Sequence, residues 1–181
     1  MNQLGLAIDL SHSSDRTALD TCAQSGQPVL ITHAGARGVW DTARMKPDAV
    51  LRAVAETGGV IGMSAAPHTT LSHPHPRHTL ESVMDHFLYC ADLVGLDHVA
   101  FGPDTLYGDH VALHRTFAQL LSLSRMGGPS YDPVEYVDGL ENPTENFANI
   151  CDWLVGHGFS DAEVQQVLGG NIRRALGEIW V

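Results

Sequence analysis

The sequence predicts an α/β fold with a parallel sheet, and three observations carry that reading. Four short runs, Leu6–Leu10, Pro28–Thr32, Val60–Ser64 and His98–Gly102, are apolar and largely β-branched without strict alternation, as strands buried on both faces are. Helical patterns follow the first three, and strands alternating with helices imply parallel pairing with right-handed crossovers. No repeat, low-complexity tract or linker divides the 181 residues, a length suited to a single domain. Two architectures meet this pattern. One is a small open doubly wound sheet; the other is half of an eight-stranded (β/α) barrel, because four strands cannot close such a barrel.

Taken in order, Ser14 is placed to cap a first helix that runs through Gln24 and stops at Gly26. Pro47 suits the first turn of a second helix, ending at Glu56 before the pair Gly58 and Gly59. The third helix, Leu80–Val94, has Thr79 as its cap and one apolar stripe through Leu80, Val83, Met84, Phe87, Leu88, Ala91 and Val94. A long irregular stretch, Thr105 to Leu140, follows the fourth strand. "NPTE" then offers Asn142 as a cap with Pro143 and Glu145 behind it, and "SDAE" repeats the pattern with Ser160 and Glu163. The closing helices are predicted over Asn146 to Val155, Asp161 to Leu168, and Ile172 to Trp180.

Composition narrows the function. Ten Lys and Arg against 21 Asp and Glu give a formal charge of −11, the wrong sign for a nucleic-acid partner. No apolar run reaches the roughly 20 residues of a membrane helix, and the start lacks the features of a secretory leader. Cys22, Cys90 and Cys151 are widely spaced with no CxxC, which predicts reduced, mostly buried thiols and a cytoplasmic setting. Eleven histidines outnumber the Lys and Arg together.

Chemistry in parallel α/β folds gathers beyond the carboxyl ends of the strands. His12 lies just past the first run, His33 follows the second in "LITHAG", and Asp104 follows the fourth in "AFGPD". Imidazoles and a carboxylate on one rim suit a borderline metal such as zinc, although a single such histidine is more often a turn residue. His68 falls after the third run, inside "APHTTLSHPHPRH", where His73, His75 and His78 read as a solvated loop. "GGPS" and "LGGN" lack the context of a phosphate loop, no GxSxG is present, and no cysteine sits at a strand end.

"GLAIDLSHSS", "PVLITHAGARGVWDTARMKPDAVL", "HVAFGPD" and "GLENPTENFANICDWLVGHGFSDAEVQQVLGGNIRRAL", in that order, resemble the C-terminal half of the membrane (renal) dipeptidase family. The resemblance implies half of an amidohydrolase-like (β/α)8 barrel, about four parallel β/α units plus C-terminal helices. It also implies a binuclear zinc site that hydrolyses dipeptides. His12 and His33 match ligands of one zinc. Asp104 matches a strand-end aspartate that handles the proton of the attacking water, and Arg44 an arginine that binds the substrate carboxylate. Read without the resemblance, Arg44 is a surface ion-pair residue.

The family's His-x-Asp pair, bridging glutamate and further histidine belong to an N-terminal half that has no counterpart here. Met45 replaces the asparagine usual after the arginine, and Pro103 the small residue usual before the aspartate. The expectation is a dipeptide or small-amide substrate and at most one metal. The chain alone is expected to show little activity, and its partner to be a second copy or a complementary N-terminal half. A non-catalytic assembly subunit, or a hydrolase of another amide, is the alternative.

Overall fold

The computed structural model describes residues 1–67, 71–108, 112 and 134–180. At its centre lies a three-stranded parallel sheet in the order β1 (Leu30–Ala34), β2 (Val60–Met63), β3 (Val99–Phe101). Helix α1 (Asp15–Gln24) precedes β1, α2 (Asp48–Glu56) and α3 (Leu80–Val94) link the strands, and α4 (Asn146–Gly156), α5 (Asp161–Gln165) and α6 (Asn171–Ile179) close the chain.

Several predicted boundaries hold. Ser14 caps α1 by accepting from Thr17 N, and Thr79 forms a capping box with Ser82 at the head of α3. Ser160 and Glu163 form the predicted box on α5. Asn142 makes the bonds predicted of a cap, accepting from Thr144 N and Glu145 N, and after that turn α4 begins at the predicted Asn146. Others shift. Ser25, in extended conformation, ends α1 one residue before Gly26. The last two predicted helices are one continuous rod, joined by a π-helical turn at Gln166–Gly170.

The predicted first strand is the main correction. Leu6–Leu10 makes one parallel pairing, Asp9 with Leu30. Leu30 N donates to Ile8 O at 2.9 Å and Leu10 N to Leu30 O at 2.8 Å. Among the described residues it pairs with β1 alone, so the run stays a fragmentary edge, and Leu6 is 48% exposed.

The sheet's two faces have different covers. Val29, Ile31, Ile61, Met63, Val99 and Phe101 point outward into the main core with Leu51, Val54, Val83 and Phe87. Phe87 stacks on Phe101 with ring centroids 5.0 Å apart. Leu30, Val60 and Ala100 point the other way and pack against Ala175 and Ile179 of α6. Arg174 and Asn171 fix that helix below the strands. Arg174 donates to the carbonyls of Gly58 and Asp97, and the Asn171 amide to those of Leu96 and Val99. Among the described residues the inner face is therefore floored at its amino end and left open toward its carboxyl end.

That open end is shaped by a bulge. Ile31 pairs with Ile61 but Ala34 with Met63, so β1 carries one extra residue around Thr32 and His33. The bulge turns the Thr32 carbonyl across the inner face, over Gly62 and Gly102. A Cβ on Gly62 would stand 2.1 Å from that oxygen, and one on Gly102 1.8 Å. Glycine is required at both places by close backbone approach.

Cys22 and Cys90 are buried and Cys151 partly so, all as free thiols. Burial pushes the Cys90 thiol up to about 12, which makes it inert.

Candidate functional site

His12 sits on a tight turn in which Ser13 N and Oγ both return to Leu10 O, at 3.1 and 2.9 Å. His33 belongs to β1, within its bulge, where the sequence reading placed it just after the strand. Turn and bulge bring the two rings together, with Nε2 to Nε2 at 2.9 Å and ring centroids 4.9 Å apart. Asp104, on the loop after β3, places Oδ2 3.9 Å from His33 Nε2. Its backbone is left-handed, φ 57°, a strained conformation for a residue with a Cβ.

Both imidazoles are held below the ordinary histidine pKa. For His12 burial is the first cause, then the positive charge of Arg44; for His33 it is burial, partly offset by Asp104. Both are thus neutral at neutral pH, the form that ligates metals. Imidazole nitrogens sharing one tetrahedral zinc stand roughly 3.4 Å apart, so the pair need open by only about 0.5 Å. The donor set fits one such ion with two ligands. Among the described residues, no group of three or more His, Cys, Asp or Glu side chains is arranged to hold a metal. The carboxylate stands near the pair without completing it.

Three cations lie behind the imidazoles. Arg44 is 8% exposed, so the surface ion-pair reading does not hold. It donates from Nη1 to Ser11 O at 2.6 Å and from Nη2 to His33 O at 2.8 Å, bracing both ring-bearing segments. Lys46, only 2% exposed, donates from Nζ to Ser13 O at 2.7 Å. Burial, then Arg44 beside it, pushes its ammonium down to about 8. Arg37 grips Asp15 of α1 with two bonds, at 2.7 and 3.0 Å.

Lys46 was not singled out in the sequence, where only its neighbours Arg44 and Met45 drew notice. Replacing it with methionine keeps the apolar stem but strips Ser13 O of a charged donor. Lys46→Met is expected to cost on the order of 1–3 kcal/mol in urea unfolding. An unchanged midpoint would show that the ammonium does not anchor the turn.

Asp9 also escaped the sequence reading. The carboxylate gathers Ser11 N, Ser11 Oγ and Thr32 N on Oδ1, and Thr32 Oγ1 on Oδ2. Burial works against its charge, but these bonds from Ser11 and Thr32 outweigh it and hold the group below the usual carboxylate range. A lone acid within "GLAIDLS" was the available signal.

The other predicted histidines stand apart. His75 pairs with Asp85 at 2.7 Å, and His73 packs against Trp40, on the outer side of α3. His78 is buried. His68, Asp109, His110 and His114 lie outside the described residues.

Comparison with known proteins agrees with this layout. The membrane dipeptidase model, peptidase family M19, matches residues 1–115. Dipeptidase tcpJ of Claviceps purpurea is 29% identical over 179 residues, covering 99% of this chain and 36% of that protein. Dipeptidase 3 of Rattus norvegicus is 26% identical, with 99% and 31% covered. Among solved structures, an amidohydrolase from Pseudomonas aeruginosa superimposes with a TM-score of 0.83 at 24% identity, over 99% of this chain and 54% of that one. A metallo peptidase from Rhodobacter sphaeroides, liganded with a phosphinate mimic of the dipeptide L-Ala-D-Ala, gives 0.75 at 22%, over 99% and 44%. At those identities the structures speak for the fold alone. The chain spans about a third of the length of these curated relatives. They are named as dipeptidases, so the family is one of peptide-bond hydrolases, and with the matched stretch covering more than half of the sequence, the chain belongs to the membrane dipeptidase family, peptidase family M19.

Proposed function

We propose that this chain supplies the carboxyl-half site of a zinc-dependent dipeptidase. The observation that carries the reading is the meeting of His12 Nε2 and His33 Nε2 at 2.9 Å beside the carboxyl end of the parallel sheet. In this proposal both imidazoles ligate one zinc, which when bound acidifies a water and polarises the scissile carbonyl. Asp104, 3.9 Å from His33, takes the proton of the attacking water and returns it to the departing amine. Arg44 braces the two ligand segments, and its fork is the proposed anchor for a substrate carboxylate.

Two imidazoles and a distant carboxylate make a weak site on their own. The full chain is expected to bind zinc weakly, and to hydrolyse a panel of L,L and L,D dipeptides slowly or not at all. Chelator competition and amine release measure the two. Loss of zinc uptake in His12→Ala and His33→Ala supports the reading. Uptake unchanged in both variants overturns it, and rapid hydrolysis lost in both would show that the site is complete after all.

The exposed edge at Leu6–Leu10 favours a second element of the proposal, assembly with another chain that extends the sheet. Light scattering on the same samples checks it, and a clean monomer counts against obligate assembly.

A further inference from the structure

Two imidazoles facing each other through the same nitrogen pose a question of proton counting, which the surrounding hydrogen bonds answer. Ser11 Oγ and Thr32 Oγ1 each own one proton. The two hydroxyls also lie 3.1 Å from each other, but the carboxylate is the nearer and charged acceptor for each, so both protons go to Asp9, from Ser11 Oγ to Oδ1 at 2.6 Å and from Thr32 Oγ1 to Oδ2 at 2.8 Å. An ionised carboxylate only accepts, so neither bond can be reversed. Thr32 Oγ1 therefore meets His33 Nδ1, 2.8 Å away, with a lone pair. The proton in that contact belongs to the imidazole.

We infer that Asp9 is a positioning residue: through the Thr32 hydroxyl it holds His33 as the Nδ1–H tautomer, leaving the Nε2 lone pair to face His12. The same cluster fixes the backbone, because His33 N donates to Ser11 Oγ at 3.0 Å. At 2.9 Å the two Nε2 atoms cannot both be bare, so His12 carries its proton on Nε2 and donates it to His33. The two histidines are consequently unequal. His33 is preset to ligate, whereas His12 must move its proton to Nδ1 before both Nε2 atoms can face one cation. That last step rests on the zinc reading proposed above; the tautomers themselves do not.

The test is long-range proton–nitrogen correlation on the 15N-labelled full chain, without metal, near neutral pH. Wild type is expected to show His33 protonated on Nδ1 and His12 on Nε2. In Asp9→Asn the amide can donate to Thr32 Oγ1, freeing the hydroxyl proton for His33 Nδ1, so His33 is expected to switch to the Nε2–H form. Thr32→Val removes the acceptor and is expected to leave a mixture, while Thr32→Ser keeps the wild-type pattern. Circular-dichroism melts identify any variant that has lost the fold.

A wild-type His33 in the Nε2–H form overturns the inference, as does a Nδ1–H form that persists in both folded Asp9→Asn and folded Thr32→Val. On addition of zinc, Asp9→Asn is expected to bind roughly 10–100-fold more weakly than wild type. Wild-type tautomers as described in a chain that takes up no zinc would support the relay and sink the metal reading, so the two failures are told apart.

Discussion

Gly102→Ala is expected to lower stability by at least about 3 kcal/mol, the upper end of what overpacking costs. The new methyl would sit 1.8 Å from the Thr32 carbonyl oxygen and 3.0 Å from its carbon, both backbone atoms with no side-chain torsion to relieve them. Only the bulge can give way, and the bulge carries His33. The substitution should therefore also pull the imidazole away from His12, weakening any cation binding beyond what the lost stability explains. Urea unfolding with Gly156→Ala as control measures the first effect, since nothing lies within 4 Å of that position. Equal midpoints for the two variants would mean that the Thr32 carbonyl does not cross the inner face as described.

Acid is the second large lever. His86, 1% exposed on α3, accepts the Ala36 N–H at Nδ1 at 3.0 Å and donates from Nε2 to Leu71 O at 2.9 Å. Both nitrogens are satisfied in the neutral ring, and a second proton would set one N–H against another. Burial pushes its pKa down to about 4, the Leu71 bond and Asp85 only partly opposing it. The unfolded chain titrates near 6.5, so between those values it binds more protons than the folded one. Stability from this group is complete above about pH 6.5 and falls with acidification, by roughly 2 kcal/mol at pH 5 and about 3 by pH 4. His78, also held at about 4 by burial, adds a slope of the same sign.

His86→Gln keeps one acceptor and one donor for Ala36 and Leu71 but does not titrate. Urea midpoints at pH 7 and pH 5 should lie closer together in the variant than in wild type. An identical spread would sink the assignment.

Much of this architecture was readable in the sequence, because local signals and tertiary demand agree. The cap residues Ser14, Thr79 and Ser160 and the stripe of α3 specify helices that the core also needs. The first run was misread for the converse reason. Leu6–Leu10 has the composition of a buried strand, but a strand becomes one through its neighbours, and among the described residues its parallel pairing is with Leu30 alone. Asn142 belongs with the readable residues, because its side chain takes the N–H groups of Thr144 and Glu145, one turn ahead of the helix.

The site divides in the same way. His12, His33 and Asp104 were visible as reactive types at the ends of apolar runs. The groups that orient them were not. Asp9 reaches Thr32 23 positions away, Lys46 reaches the Ser13 carbonyl 33 positions away, and Thr32 acts on its neighbour His33 only because the bulge turns both to one side; no spacing rule encodes those contacts. The bulge was equally hidden, although the glycines in "VIGMS" and "AFGPD" were its trace.

The placement of α6 has a consequence for biosynthesis. Leu30, Val60 and Ala100 leave the ribosome long before Ile172, Ala175 and Ile179, the side chains that shelter them. The nascent sheet must wait with a greasy underside while the roughly 70 residues between Ala100 and Ile172 are added, at the 5–20 residues per second typical of the process. Covering of the sheet thus trails its synthesis, and the interval between them is when chaperones have most to guard.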